Sequence, residues 1–119
     1  MAISSAVCTS FKVELLKGVH NFTASSGNTF KIALYTSSAS LGAATTAYST
    51  SNEISNTSGS AYSAGGATLT SITPVADSTT AVCDFNDVSY TSASLTATNG
   101  TFTIQFPAAD ASNAIIRLA

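Results

Sequence analysis

The residues able to do chemistry are few and scattered. The chain holds one histidine, His20, two cysteines, Cys8 and Cys83, and only four basic and six acidic side chains among 119 residues. The densest acidic grouping is Asp84 and Asp87, with Asp77 nearby. Calcium takes several carboxylate and carbonyl oxygens, yet this spacing matches no EF-hand loop, and Asp in turns commonly bonds its own backbone. His20 with Asp110 and one of many serines has the ingredients of a hydrolase triad, but no Gly-x-Ser-x-Gly motif places a nucleophile. The cysteines have no Cys-x-x-Cys spacing and one histidine completes no common zinc set, so both read as small, unlinked hydrophobes. Tyr35, Tyr48, Tyr62 and Tyr90 have two readings: a sugar-stacking platform, or anchors at a core edge or an interface. Lys31 and Arg117 read as outward or interface charges. Catalysis needs convergent ionisable groups with tuned pKa values. Their dispersal here predicts no enzyme, no metal and no cofactor.

The bulk properties narrow the class further. A chain of 119 residues and net charge −2 fits one domain, with Ser, Thr, Ala and Gly making much of its surface. No basic run exists to neutralise phosphates, which argues against nucleic acid. No apolar stretch approaches the ~20 residues that span a bilayer, which argues against a membrane. The N-terminal residues lack the basic and apolar blocks of a signal peptide, which predicts use without Sec export.

The elements that must position these residues follow from periodicity. Ile3, Val7, Phe11 and Leu15 recur every four residues, predicting a helix over 2–17, capped by Ser4 or Ser5 and stopped at Gly18. Residues 29–36 alternate, with Phe30, Ile32 and Leu34 facing inward. Residues 37–66 carry few bulky groups. They predict a long excursion, pinned by Leu41, Tyr48, Ile54 and Tyr62 or ordered only on assembly. Further strands are expected at 67–72, ended by Pro74, and at 81–88, bent at Asn86-Asp87. Others follow at 90–96, at 101–106 after an Asn99-Gly100 hairpin turn, and at 114–118. Phe102, Ile104 and Phe106 are expected to share a core with the 29–36 strand. The predicted fold is mainly β: a small antiparallel sandwich or barrel of about six strands with one N-terminal α-helix.

Five segments carry a family resemblance. They are Phe11-Lys12-Val13-Glu14-Leu15-Leu16-Lys17-Gly18-Val19-His20-Asn21-Phe22, Phe30-Lys31-Ile32-Ala33-Leu34-Tyr35-Thr36, Ala47-Tyr48-Ser49-Thr50-Ser51-Asn52-Glu53-Ile54, Tyr62-Ser63-Ala64-Gly65-Gly66 and Gly100-Thr101-Phe102-Thr103-Ile104-Gln105-Phe106-Pro107-Ala108-Ala109-Asp110. In this order, over most of the chain, they resemble a family of small virion structural proteins of tailed bacteriophages. The resemblance implies no catalytic residues. It implies a virion location after synthesis in the host bacterial cytoplasm, with copies of itself and other virion proteins (major capsid or tail protein) as partners. One departure stands out. In the family pattern a further hairpin separates the segment like residues 89–96 from the one starting at Asn99, whereas here the two nearly abut at Ala97-Thr98.

The expected role is a capsid decoration (cement) protein that bridges capsid subunits and repeats many times. The alternative is a tail, baseplate or fibre-associated protein that contacts host-surface glycan. The expected assembly contacts are Ile3, Val7, Phe11, Leu15, Tyr48 and Tyr62.

Overall fold

The computed structural model describes residues 6–54, 62–95, 98–104 and 116–118, from residue 91 onward through the backbone. It is mainly β with one short helix, as the periodicity predicts. The elements are α1 (Thr9–Leu16), β1 (Phe30–Ile32), β2 (Ala67–Leu69), β3 (Ser71–Asp77), β4 (Thr80–Phe85), β5 (Val88–Leu95), β6 (Thr98–Ile104) and β7 (Ile116–Leu118). They form three small antiparallel sheets, β1-β2, β3-β4-β7 and β5-β6, and no barrel closes among the described residues.

The helix is shorter than the apolar stripe predicts. Cys8 is extended (φ −58°, ψ 135°), and the Thr9 N–H bonds Ala43 O at 2.9 Å instead of continuing a turn. Val7 therefore lies outside the helix, and Ile3, Ser4 and Ser5 fall outside the described residues. The C-terminus matches expectation. Gly18 takes φ +69°, its N–H bonds Leu15 O at 3.1 Å and Val19 N–H bonds Glu14 O at 3.0 Å, the paired closure of a Schellman motif.

The predicted strand 29–36 is used in two halves. Phe30–Ile32 pairs with Ala67–Leu69, Phe30 opposite Leu69. Beyond it, Ile54 N–H bonds Leu34 O, Thr36 N–H bonds Asn52 O, both at 2.9 Å, and Tyr35 forms a bridge with Glu53. The excursion thus returns to the sheet through its own backbone. In the described part of 37–66 the stretch is held by these bonds. Phe30, Ile32 and Leu34 are largely but not fully buried, as expected. Gly66 makes the switch between the two halves possible: at φ +75°, a Cβ there would sit 1.9 Å from Ile32 O.

Pro74 does not end its strand. In β3, Ile72 opposes Asp84 and Val75 opposes Val82, so Thr73 and Pro74 share one partner position in a bulge. β3 is a sheet edge, where a residue without an N–H costs no ladder bond. The chain turns at Ser78 (φ 54°) into β4, the central strand, and leaves it at Asn86-Asp87 as predicted. Val82, Cys83, Asp84 and Phe85 of β4 are all buried. Asp84 is tolerated there because its Oδ1 accepts the Phe85 N–H at 2.8 Å.

Asn99-Gly100 is not the hairpin turn. Leu95 opposes Thr98, Ser94 opposes Asn99 and Ala93 opposes Gly100, which places Asn99 and Gly100 within β6. β5 and β6 are thus consecutive antiparallel partners. Tyr90 and Phe102 are opposite in register. The side chains of Phe102, Ile104 and Phe106 lie outside the described residues. β7 covers the end of the predicted strand 114–118 and pairs with β4, Val82 opposite Arg117.

Two cores result. One is aromatic: Phe22 stacks on Phe30 at 4.3 Å, both meet Phe85 at 6.2 and 5.8 Å, and Phe11 reaches Phe22 at 6.3 Å. The other centres on Tyr62 and Tyr90, 5.4 Å apart, with Leu34, Ile54, Ala67 and Val88 around them.

Candidate functional site

The most organised polar cluster is built on Glu53, the one charged residue in the whole stretch 37–66. The bridge to Tyr35 holds the Glu53 backbone beside β1, and positive φ at Gly65 (88°) turns that residue's N–H toward the carboxylate. Three donors converge. Tyr62 Oη donates to Glu53 Oε1 at 2.6 Å, Gly65 N–H donates to the same oxygen at 2.8 Å, and Tyr48 Oη donates to Oε2. Tyr62 Oη also accepts the Leu34 N–H at 2.9 Å, which couples the carboxylate to the β1 extension. Tyr35 Oη donates to Ser49 O at 2.6 Å.

The electrostatics follow from these bonds. The Tyr48 and Tyr62 hydroxyls hold the Glu53 carboxyl below its ordinary value, because they stabilise the charged form. The bond to Glu53 raises Tyr48, and burial first, then the same carboxylate, pushes Tyr62 well up. Burial likewise raises Tyr90. The raised phenols and the lowered carboxyl both favour the bonded arrangement that fastens these stretches of chain.

The tyrosines do not form a stacking platform. Tyr62 and Tyr90 are buried, Tyr35 is half-buried, and only Tyr48 is exposed. Tyr62 and Ile54 pin the excursion, as the sequence suggests, whereas Leu41 and Tyr48 are half or more exposed. Tyr62, at 0% exposure, is an internal anchor; this corrects its assignment as an assembly contact. Of the other expected contacts, Val7 is exposed, Phe11 and Leu15 are half-buried, and Ile3 lies outside the described residues.

The remaining candidates stay apart. His20 Nε2 lies 2.7 Å from Glu14 Oε2, and its ring packs against Phe11 at 5.0 Å, so it helps cap the aromatic core. Asp110 lies outside the described residues. Asp84 is buried in β4 and Asp87 is exposed beyond it, while Asp77 ends β3. Among the described residues no three His, Cys, Asp or Glu side chains gather as metal ligands. Both cysteines are free; Cys8 is half-buried and Cys83 is buried with its thiol pushed up, first by that burial. Lys31 is exposed.

Two surface grooves accompany these features. One, of about 190 Å³, is lined by Ala6, Cys8, Leu41, Gly42 and Thr45. The other, of about 360 Å³, lies between the turn at Thr23–Asn28 and the residues linking β2 to β3, and no ionisable side chain lines it. No helix among the described residues is long and apolar enough to cross a membrane.

Sequence reasoning missed Glu53. The available signal was a lone charge in a long uncharged stretch, between two tyrosines and ahead of Gly65-Gly66. Comparison of the chain with protein families, with curated proteins and with solved structures gives no match.

Proposed function

We propose that the chain is a non-enzymatic structural protein of a tailed-phage virion, a decoration protein that bridges capsid subunits. One observation carries this reading. Helix α1 presents Phe11, Val13, Leu15 and Leu16, yet none of its residues is fully buried, and Leu16 is 91% exposed. Such a helix loses its apolar surface to water unless a neighbour covers it. Val7, Val19 and Leu41 add exposed apolar groups. The sparse charge supports the same role, since copies can approach closely without strong repulsion. A fibre-borne glycan contact is the alternative, and it is the weaker one because Tyr48 alone of the tyrosines is exposed.

The test is localisation in intact particles by electron microscopy with quantitative mass spectrometry. The decoration reading expects the chain on the capsid lattice in hundreds of copies. A few tens of copies on the tail would move it to the alternative, and absence from particles would overturn both. Leu16→Asp should weaken retention on stripped particles while leaving the fold intact, because Leu16 supports no core.

A further inference from the structure

We propose that the Glu53 carboxylate is an acid-released latch: ionised, it fastens the stretches 48–54 and 62–66 to the β1 extension, and protonated it releases them while the aromatic core holds. The argument begins with donor counting. The two carboxylate oxygens accept from Tyr48 Oη, Tyr62 Oη and Gly65 N–H. Bonds to an ionised acceptor are about twice as strong as neutral ones. Protonation removes that charge and adds a fourth hydrogen to the same two oxygens. The incoming proton, taken from solvent, belongs on Oε2, since Oε1 already holds two donors. There it takes the one lone-pair site the three donors leave open, and all three bonds weaken because their acceptor is no longer charged.

The weakening at Tyr62 then passes along the bonds that share its hydroxyl. Tyr62 Oη is also the acceptor for Leu34 N–H, and Leu34 O is the acceptor for Ile54 N–H. Loosening Tyr62 thus loosens the pairing beside the Tyr35–Glu53 bridge. The titratable groups facing Glu53 are Tyr48 and Tyr62 by direct bond, Tyr35 across the bridge, and Tyr90 behind Tyr62. No ion pair holds Glu53 among the described residues. Its described partners are hydroxyls and an amide, and the hydroxyls keep its carboxyl below the ordinary value.

The experiment is native-state amide exchange, expressed as protection relative to intrinsic rates, at neutral pH and at about pH 3. In the wild-type chain, protection at Leu34, Ile54 and Gly65 should fall about tenfold or more at acid pH, while Gly27, Asn28 and Asn86 keep theirs. Glu53→Gln should show the low protection at both pH values. Tyr48→Phe removes one exposed donor without touching a core, and it should move the release to higher pH. Unchanged wild-type protection at acid pH would overturn the latch, as would simultaneous loss at the control amides or wild-type behaviour of Glu53→Gln. If Glu53→Gln does not fold, the Tyr48→Phe midpoint decides, and an unmoved midpoint counts against the latch.

Discussion

The aromatic core and the Glu53 node hold the same chain by opposite means. The core joins α1, the turn after it, β1 and β4 through Phe11, Phe22, Phe30 and Phe85, with ring centroids 4.3 to 6.3 Å apart. It depends on apolar area and ring geometry, and those phenylalanines do not titrate. The node holds a stretch poor in bulky groups by directed bonds to one carboxylate, with a single buried tyrosine as its apolar anchor. Hydrophobic burial is distributed and tolerant of pH. A charge-centred node is compact, and it depends on one protonation state. The difference teaches how a Ser- and Thr-rich excursion becomes ordered without a core of its own.

The largest expected effect falls on the aromatic side. Phe85 is 5% exposed and contacts both Phe22 and Phe30. Phe85→Ala should cost about 3–5 kcal/mol in denaturant unfolding, a large share of a small domain's stability. A loss below about 1 kcal/mol would erase the contrast between the two regions. On the other side, Tyr62→Phe should cost about 1–3 kcal/mol, because it leaves the Leu34 N–H without its acceptor and Glu53 Oε1 with one donor fewer. A cost equal to that of Phe85→Ala would mean that the node is no weaker than the core.

How far the sequence discloses each region follows the same division. Periodicity is a signal of apolar spacing, so it finds the strand that starts at Phe30 and the strand that ends at Phe85, though not that both faces of Val82–Phe85 are buried. It overestimates α1, because nothing in the stripe reveals that Cys8 is extended and that the Thr9 N–H is claimed by Ala43 O. It misplaces the hairpin, because Asn99-Gly100 has turn chemistry but the two residues pair with Ser94 and Ala93 inside the ladder. It leaves Pro74 as a terminator, because only the partner strand shows a bulge there. Glu53 was missed for a related reason, because its signal is a lone charge rather than a spacing. A charge-centred node has no period, and its partners are spread from Leu34 to Gly65.

A pH titration of stability sharpens the comparison with a smaller effect. Glu53 sits below its ordinary value of 4.5 in the folded chain, so its contribution is complete above about pH 4.5 and is lost as pH falls through the lower folded value. Tyr48 and Tyr62 are raised above 10.0, so theirs is complete below about pH 10 and is lost as pH rises through the folded values. The node is therefore bounded on both sides. Tyr62→Phe and Tyr48→Phe should each flatten the alkaline limb of the wild-type stability curve, and Glu53→Gln the acid limb. Variants with both limbs intact would show that these groups do not couple to folding.

The smallest expected effect is the most discriminating. Cys83 lies on β4 beside Phe85, is 7% exposed, and has its thiol raised by burial, so labelling by a thiol reagent at neutral pH must wait for the core to open. Cys8 is half-buried beside Gly42 and serves as the faster internal reference. If the node opens by itself, Glu53→Gln should leave the Cys83 labelling rate in native buffer close to the wild-type rate, while Phe85→Ala should raise it sharply. If instead the two regions form one cooperative unit, Glu53→Gln must accelerate Cys83 labelling in proportion to its loss of global stability. Equal acceleration by both variants would break the comparison, because it would make the carboxylate node a working part of the aromatic core rather than a separate fastening.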